Sequence, residues 1–237
     1  MKVMILAGGY GSRIADVNDE IPKPMILLDE RPIIEHVINI YKYYNLKKFI
    51  ILSGYKHSKI KSFFQKNSKK FSNCEIKIFD TGIHTLTGSR ILKAKKFITE
   101  KHFLVTYGDG ISDIDINKLI RFHKKNSKVA TITAVRPPAR FGELIIKKNL
   151  VDKFDEKIQL NKNWINGGFF VFDKKFFKFI PKKNTMLETL PIQNLLKSRN
   201  LACYKHRGYW QCIDNRRDLN SVKSILKKRE APWIKKS

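Results

Sequence analysis

Short apolar runs alternate with amphipathic stretches through the first half of the chain. We predict buried strands at four apolar runs, 2–7, 49–52, 103–106 and 129–135. Apolar residues at helical spacing predict helices over 33–44, 57–66, 91–98 and 116–125, and residues 75–79 are predicted to be extended. Strands and helices that alternate in this way are typical of an α/β fold with a largely parallel sheet.

The second half of the chain, from about Pro137, has a different pattern. Shorter segments predict a β-hairpin of 143–147 and 151–155, followed by a strongly aromatic strand at 165–172. We predict helical stretches and one short strand in the remainder, at 174–179, 187–199, 202–204 (the strand) and 216–229. We therefore expect an α/β, Rossmann-like, mixed but mostly parallel sheet flanked by helices, with small β-hairpin additions in the C-terminal half.

The composition adds a large positive charge to this globular pattern. Lys and Arg total 48 residues against 21 Asp and Glu, which gives a formal net charge of +27. Such a balance is typical of proteins that bind nucleic acid or other polyanions. Lys, however, outnumbers Arg more than threefold and occurs in pairs along the whole chain, without zinc-finger spacing or an aromatic RNA-binding motif. We interpret most of the charge as a solvated surface and expect no nucleic-acid partner.

The cysteines and the apolar runs indicate a reduced, cytoplasmic protein. Cys74, Cys203 and Cys212 form no C-x-x-C pair and are odd in number, so they suggest neither a disulfide framework nor a zinc site. The apolar run after Met1 is too short for a signal peptide and leads into glycines rather than a cleavage site. No apolar stretch approaches the length of a membrane span, so we expect no membrane partner.

The segment after the first predicted strand is the most informative part of the chain. It reads Gly8-Gly9-Tyr10-Gly11-Ser12-Arg13, and Pro22-Lys23-Pro24-Met25 follows it. Glycines let several backbone N–H groups approach one anion, and the Arg and Lys side chains add positive charge. The spacing fits neither the dinucleotide fingerprint nor a Walker loop, although an ordinary βα turn can begin in the same way. We predict a site for a nucleoside triphosphate.

Residues 6–25 as a whole resemble the signature of the sugar-1-phosphate nucleotidyltransferases. Further segments resemble one subgroup, the glucose-1-phosphate cytidylyltransferases, in the family's order along nearly the whole chain. These segments are YGDGISDID from Tyr107, FDTG from Phe79, TG at Thr87, RPPARFG from Arg136, INGGFF from Ile165, WQ at Trp210 with Asp214, and APW from Ala231. The resemblance implies an enzyme that transfers a cytidylyl group from CTP to a sugar 1-phosphate. The acceptor it implies is α-D-glucose 1-phosphate, giving CDP-glucose for surface polysaccharide synthesis.

The resemblance also implies a set of nucleotide-binding residues. They are Leu6, Ala7, Gly8, Gly9, Gly11, Ser12, Arg13, Lys23, Thr87, Gly88, Arg90 and Gly108. Within this set, Arg13 would bind the leaving pyrophosphate, and Lys23 would lie near the α-phosphate, where charge develops. Thr87, Gly88 and Arg90 would read the base. We expect Arg13, Lys23 and Asp109 to be the catalytic residues.

A metal site and an acceptor site are implied in the same way. Asp109 and Asp214 would hold Mg²⁺, since a hard cation prefers carboxylate oxygens. The alternative for Asp109 is an Asp-Gly turn, and the alternative for Asp214 is a helix cap. The acceptor would be bound by four residues, Glu156, Lys157, Asn166 and Gly167. Lys157, which would grip the acceptor phosphate, could equally be one more surface lysine.

The chain also departs from the family pattern around the acceptor. Ile158 stands where the family has proline after its lysine, Cys212 replaces another proline, and the stretch 71–79 is short. These departures leave open the same reaction with another nucleoside triphosphate or another phosphorylated acceptor. A non-enzymatic nucleotide sensor or polyanion-binding module is the alternative outside enzymes.

We expect a single nucleotidyltransferase domain spanning 1–237, in which residues 1–135 form the nucleotide-binding core. Residues 136–237 would then be the acceptor-binding and closing part. We also expect a homo-oligomer.

Overall fold

The computed structural model describes residues 1–11, 20–137, 143–155 and 163–235. In these residues the strands predicted from the apolar runs are present, together with several short ones that the pattern does not reveal. The strands are β1 (Val3–Ala7), β2 (Leu27–Leu28), β3 (Arg31–Pro32), β4 (Lys48–Ser53), β5 (Glu75–Asp80), β6 (His102–Tyr107), β7 (Gly110–Ser112), β8 (Ala130–Val135), β9 (Glu143–Lys147), β10 (Leu150–Asp155), β11 (Ile165–Asp173), β12 (Leu201–Lys205) and β13 (Trp210–Cys212).

The helices agree with the predictions in most places. They are α1 (Ile33–Tyr43), α2 (His57–Lys66), α3 (Thr87–Lys93), α4 (Ile116–Asn126), α5 (Leu190–Lys197) and α6 (Arg216–Lys227). The predicted start of α3 is wrong, because the helix begins with the polar residues from Thr87 onward, which apolar spacing does not register. After α3 the chain tightens into a 3-10 turn, and residues 174–179 also form a 3-10 helix. The predicted start of α5 at residue 187 is also too early. The helix begins at Leu190, and Pro191 occupies its first turn, where proline is favoured.

Seven strands form one mixed sheet in the order β12-β8-β11-β6-β1-β4-β5. β1 runs parallel to β4 and β6, β4 runs parallel to β5, and β8 runs parallel to β12. β11 lies antiparallel between β6 and β8. The six parallel strands therefore end at one edge of the sheet, and β11 begins at that same edge. The expected mixed, mostly parallel sheet with a separate β9–β10 hairpin is confirmed.

The side chains of β1 alternate between two hydrophobic cores, one on each face of the sheet. Val3, Ile5 and Ala7 belong to one core with buried residues of α1, α4 and α6, whereas Met4 and Leu6 belong to the other with Ile91 of α3 and two phenylalanines of β11, Phe170 and Phe172. All five are buried, so the strand is apolar on both faces, as expected for a parallel sheet covered by helices. Within the described residues, no helix is long and apolar enough to cross a membrane.

Candidate active site

The loops that follow β1 and β6 lie side by side at the carboxyl edge of the sheet. Leu6 pairs with Tyr107 in the parallel register, and the Gly108 N–H donates to the Leu6 carbonyl over 2.9 Å. This edge is where open α/β sheets bind ligands, because the strand ends leave a crevice there. A cavity of about 510 Å³ opens above the two loops.

Most of the predicted nucleotide and metal residues line this cavity. They are Leu6, Ala7, Gly8, Gly9, Gly11, Lys23, Thr87, Arg90, Gly108, Asp109 and Asp214. Gly11 has a φ of +67°, a left-handed conformation that a side chain would disfavour, so the loop requires glycine there. Large apolar side chains at the cavity, Tyr10, Ile83, Leu86 and Met186, are exposed.

Lys23 lies between the two predicted metal-binding carboxylates, Asp109 and Asp214. It occupies a short 3-10 turn between two prolines, and only 9% of its surface is exposed. Its Nζ lies 2.7 Å from Asp109 Oδ2 and 2.7 Å from Asp214 Oδ1. Burial alone would lower the pKa of Lys23, but the two carboxylates outweigh that effect and raise it above its ordinary value. The Lys23 side chain is therefore a protonated ammonium group, bound between the two carboxylates.

A small ladder explains why Asp109 and Asp214, which are distant in sequence, meet here. β7 follows Asp109 directly, and it pairs with β13, which ends two residues before Asp214. The Ile213 N–H donates to the Asp109 carbonyl over 3.0 Å, which extends the pairing beyond the strands. The helix that follows is capped by Asn215, whose side chain accepts from the Asp218 N–H over 2.9 Å. Asn215 therefore caps this helix, and the Asp214 carboxylate points toward Lys23.

The carboxylates and a thiol form one compact group of donor atoms. In the described part of the chain, ligand atoms of Asp109, Cys212 and Asp214 all lie within 4.8 Å of one another. Burial, together with the nearby Asp109 charge, raises the pKa of the Cys212 thiol to about 12. The thiol is therefore neutral, and the two carboxylate oxygens are the donors suited to a hard divalent cation. The Lys23 ammonium marks the position between them as favourable for positive charge.

Arg90 is buried beneath the glycine loop rather than open to the cavity centre. It is 3% exposed, and its guanidinium donates to oxygens from the ends of three neighbouring strands. The acceptors are the carbonyls of Gly8 (2.8 Å), Ser53 (2.9 Å), Gly82 (3.0 Å) and Ile83 (3.3 Å) and the hydroxyl of Thr81. The donor groups predicted to read a base are thus engaged with protein oxygens. The position of Arg90 indicates that it holds the loops together.

The two other residues predicted to read the base, Thr87 and Gly88, also make contacts within the protein. The Thr87 hydroxyl donates to Glu188 Oε2 over 3.0 Å and accepts from the Leu187 N–H over 2.8 Å. Gly88 packs against the backbone of the following segment, where an added Cβ would lie 3.0 Å from the Thr185 carbonyl oxygen. Gly88 therefore lets α3 approach that segment closely, and a contact of either residue with a base stays a prediction.

The acceptor residues are only partly described. Asn166 and Gly167 lie at the beginning of β11, on the same edge of the sheet as the cavity. The Gly167 carbonyl accepts a hydrogen bond from Trp210 Nε1 over 2.7 Å, which ties β11 to the ladder that carries Asp214. Four predicted residues, Ser12, Arg13, Glu156 and Lys157, lie outside the described residues, so their roles stay predictions.

Two residues that the sequence analysis did not single out join the sides of the cavity. Tyr107, the last residue of β6, donates to Glu188 Oε1 and accepts from Asn166 Nδ2 over 3.3 Å. Burial, and then Glu188, raises the pKa of Tyr107, so its hydroxyl keeps its proton. Glu188 belongs to no recognisable motif. Tyr107 could have been suggested by its position directly before Gly108-Asp109, whereas nothing in the sequence points to Glu188.

Known proteins resemble this chain along nearly its whole length. The sequence model of the nucleotidyl transferase family matches residues 2–229. A probable glucose-1-phosphate cytidylyltransferase of Bacillus subtilis is 37% identical, with 98% of this chain and 99% of the relative covered. A glucose-1-phosphate cytidylyltransferase of Salmonella typhimurium is 35% identical, with 98% of each chain covered.

The fold is also shared with solved structures. A putative glucose-1-phosphate thymidylyltransferase from Bacillus anthracis superimposes with a TM-score of 0.77 and 22% identity, covering 100% of this chain and 97% of that one. This likeness concerns the fold. The match of the family model, together with relatives of 35–37% identity over nearly the full length, identifies the chain as an enzyme of the nucleotidyl transferase family.

Proposed function

We propose that this nucleotidyltransferase transfers the cytidylyl group of CTP to α-D-glucose 1-phosphate and forms CDP-glucose and pyrophosphate. The observation that carries the proposal is the similarity, over 98% of the chain, to proteins named glucose-1-phosphate cytidylyltransferase. The cavity supports it, because a glycine loop, a held lysine and two carboxylates surround one space. The exposed apolar side chains at the cavity suit a flat base or a sugar ring.

The reaction exchanges one phosphoanhydride bond for another. A phosphate oxygen of the acceptor attacks the α-phosphorus of CTP, and the bond from that phosphorus to the β-bridging oxygen breaks. Pyrophosphate leaves with the electron pair of that bond. Both reactants are anions, so positioning and charge neutralisation account for most of the catalysis that a protein can supply.

The residues of the chain divide this work. Backbone N–H groups of the loop that begins at Gly8 would bind the triphosphate, with Arg13 on the phosphates that leave. Lys23 would turn from the carboxylates toward the α-phosphate, where negative charge develops. Asn166 and Gly167 at the start of β11 would meet the acceptor, and Lys157 would bind its phosphate, with Glu156 near its hydroxyl groups.

The donor set fits a divalent cation, and we propose Mg²⁺ held by Asp109 and Asp214. Their oxygens flank a site that already attracts the Lys23 ammonium, and hard carboxylate oxygens match that ion. Mg²⁺ bound there would neutralise phosphate charge and lower the barrier to attack. Lys23 would then be released from at least one carboxylate and become available to the nucleotide.

The organisation of the chain suits this division. We propose one domain, in which residues 1–135 bind the nucleotide and 136–237 bind the acceptor and close the site, and we expect a homo-oligomer. We further propose that the reaction takes place in the cytoplasm, where CTP is made, and that its product supplies surface polysaccharide synthesis.

A pyrophosphate-release screen tests the proposal. Each of the four ribonucleoside triphosphates is mixed with Mg²⁺ and a panel of sugar phosphates, and the product is identified by mass. Release with CTP and glucose 1-phosphate alone is the expected result. Release with another pair would keep the reaction class and replace the substrate. No release with any pair, together with tight and salt-sensitive binding of nucleic acid, would overturn the proposal in favour of a polyanion-binding module.

A further inference from the structure

The side chain of Asn166 is held at both ends of its amide group. Its Oδ1 accepts a hydrogen bond from the Gly168 N–H over 2.9 Å, and its Nδ2 donates to the Tyr107 hydroxyl over 3.3 Å. The first bond identifies which end of the amide is oxygen, because a backbone N–H needs an acceptor. The second bond directs one of the two Nδ2–H groups to the Tyr107 hydroxyl, so it depends on where Tyr107 lies.

The Tyr107 ring is placed by close packing. Gly168 has a φ of +78°, and a Cβ there would collide with the ring. The ring also meets Phe170 edge-on, with 5.8 Å between the ring centroids. The chain from 166 to 170 is therefore shaped around Tyr107, and the remaining freedom of the hydroxyl is its hydrogen-bond direction.

Glu188 sets that direction. A carboxylate only accepts hydrogen bonds, so the Tyr107 hydroxyl must donate to Glu188 Oε1 and can then accept from Asn166. The second oxygen, Oε2, accepts from the Thr87 hydroxyl over 3.0 Å, and Thr87 in turn accepts from the Leu187 N–H. Every donor along this path points toward one carboxylate. We call the four side chains Asn166, Tyr107, Glu188 and Thr87 the Glu188 chain.

The Glu188 chain joins two sides of the cavity that the sequence places far apart. Thr87 and Tyr107 line the cavity, and Thr87 is the first residue of α3, on the side predicted for the nucleotide. Asn166 is at the start of β11, on the side predicted for the acceptor. Glu188 is exposed and lies in the segment that precedes α5.

We propose that Glu188 and Tyr107 are positioning residues, which orient the Asn166 amide toward the phosphorylated acceptor. The inference rests on the proposed function, since it assigns Asn166 to the acceptor. Neither positioning residue needs to touch the reacting phosphates. Their effect is on the binding of the acceptor and only weakly on that of CTP.

Kinetics of two variants test this inference. Tyr107→Phe removes the hydroxyl and keeps the ring packing, and Glu188→Ala removes the carboxylate. Each is expected to raise the acceptor KM on the order of tenfold, because a displaced contact group costs that much or more, while the CTP KM changes less than about twofold. Glu188→Gln keeps one oxygen that can accept from Tyr107 and should restore part of the loss.

Tyr43→Phe is the matched control, because Tyr43 is an exposed tyrosine of α1, 52% accessible, outside the Glu188 chain. It should leave both KM values and the melting temperature unchanged. An unchanged acceptor KM in Tyr107→Phe would overturn the inference. Equal increases of both KM values, with no rescue by glutamine, would also overturn it, because they would indicate general distortion.

A spectroscopic measurement separates this inference from the proposed function. The side-chain amide resonances of Asn166 are identified by their absence from an Asn166→Ala spectrum of ¹⁵N-labelled protein. They should move in Tyr107→Phe and Glu188→Ala and stay in place in Tyr43→Phe. Resonances that do not move in the first two variants would refute the Glu188 chain. If the wild type turns over no CTP with glucose 1-phosphate, the proposed function fails, and these spectra still decide the positioning role.

Discussion

Replacing Arg90 with methionine removes the guanidinium that joins the ends of β1, β4 and β5, while it keeps the length and the apolar stem of the side chain. Five oxygens lose a charged donor, among them the Gly8 carbonyl in the glycine loop. We expect the glycine loop to lose its anchor. The variant should therefore be less stable and bind the nucleotide less tightly than the wild type.

The magnitude follows from two opposing effects. Hydrogen bonds to a charged donor contribute about 1.5–3 kcal/mol each, so five independent bonds would contribute roughly 7–15 kcal/mol. That total is an upper limit, since the carbonyls of Gly8 and Gly82 also accept from the N–H groups of Tyr55 and Thr85. Burying the guanidinium itself costs several kcal/mol, which methionine avoids. We expect the free energy of unfolding to fall by about 2–4 kcal/mol, and the melting temperature by roughly 5–15 °C.

Calorimetry and urea unfolding measure the loss, and steady-state kinetics measure the CTP KM. Arg90→Lys should be intermediate, since one ammonium cannot reach all five oxygens. Arg121→Met removes an exposed arginine from α4 and should change stability by less than about 0.5 kcal/mol. If Arg90→Met unfolds within 0.5 kcal/mol of the wild type, as the control should, and its CTP KM is unchanged, Arg90 does not hold the loops.

Three further predictions concern the proposed chemistry and the core. Asp109→Asn and Asp214→Asn should each reduce turnover at least about a hundredfold at limiting Mg²⁺ with an unchanged circular dichroism spectrum, and near wild-type activity of either would remove it from the metal site. Lys23→Ala should mainly lower kcat, whereas Lys157→Ala should raise the acceptor KM about ten- to a hundredfold with the CTP KM unchanged. Burial, and then a neighbouring histidine, lowers the pKa of His123 to about 4, so between pH 6.5 and pH 4 the unfolded chain binds more protons. The free energy of unfolding should therefore fall by up to about 3 kcal/mol as the pH is lowered through that window. In urea titrations, the stability of His123→Gln should depend less steeply on pH. An equally steep dependence in that variant would contradict this prediction.

The edge of the sheet that holds the site could be predicted, but several of its contacts could not. Apolar runs fix the strands, and a glycine loop or an Asp-Gly pair directly after a run places Gly8 and Asp109 at strand ends. The neighbour relation between Asp109 and Asp214 depends on β7 and β13, which have three residues each and no detectable period. The metal assignment of Asp214 therefore came from the resemblance alone.

Arg90 and Glu188 illustrate two different limits of prediction from the sequence. The sequence analysis recognises the Thr87-Gly88 motif two residues before Arg90, but apolar spacing places the predicted helix start after Arg90. The inward direction of its side chain, which belongs to the fourth residue of α3, was therefore invisible. Glu188 is an exposed acidic residue in an irregular segment, and such residues are usually solvated. Only the folded chain shows that it meets Tyr107, 81 residues earlier in the sequence.

The contact between Lys23 and Asp214 spans 191 residues, which has a consequence for the synthesis of the protein. A growing chain on the ribosome contains the glycine loop and Lys23 almost from the start, yet it lacks the second carboxylate until most of the polypeptide has been made. During that interval, of the two carboxylates that contact Lys23 among the described residues, only Asp109 can be present. A nascent or prematurely terminated chain would therefore lack half of the proposed metal site. Activity should consequently require a chain that includes Asp214, and products truncated before residue 214 are expected to be inert rather than partly active.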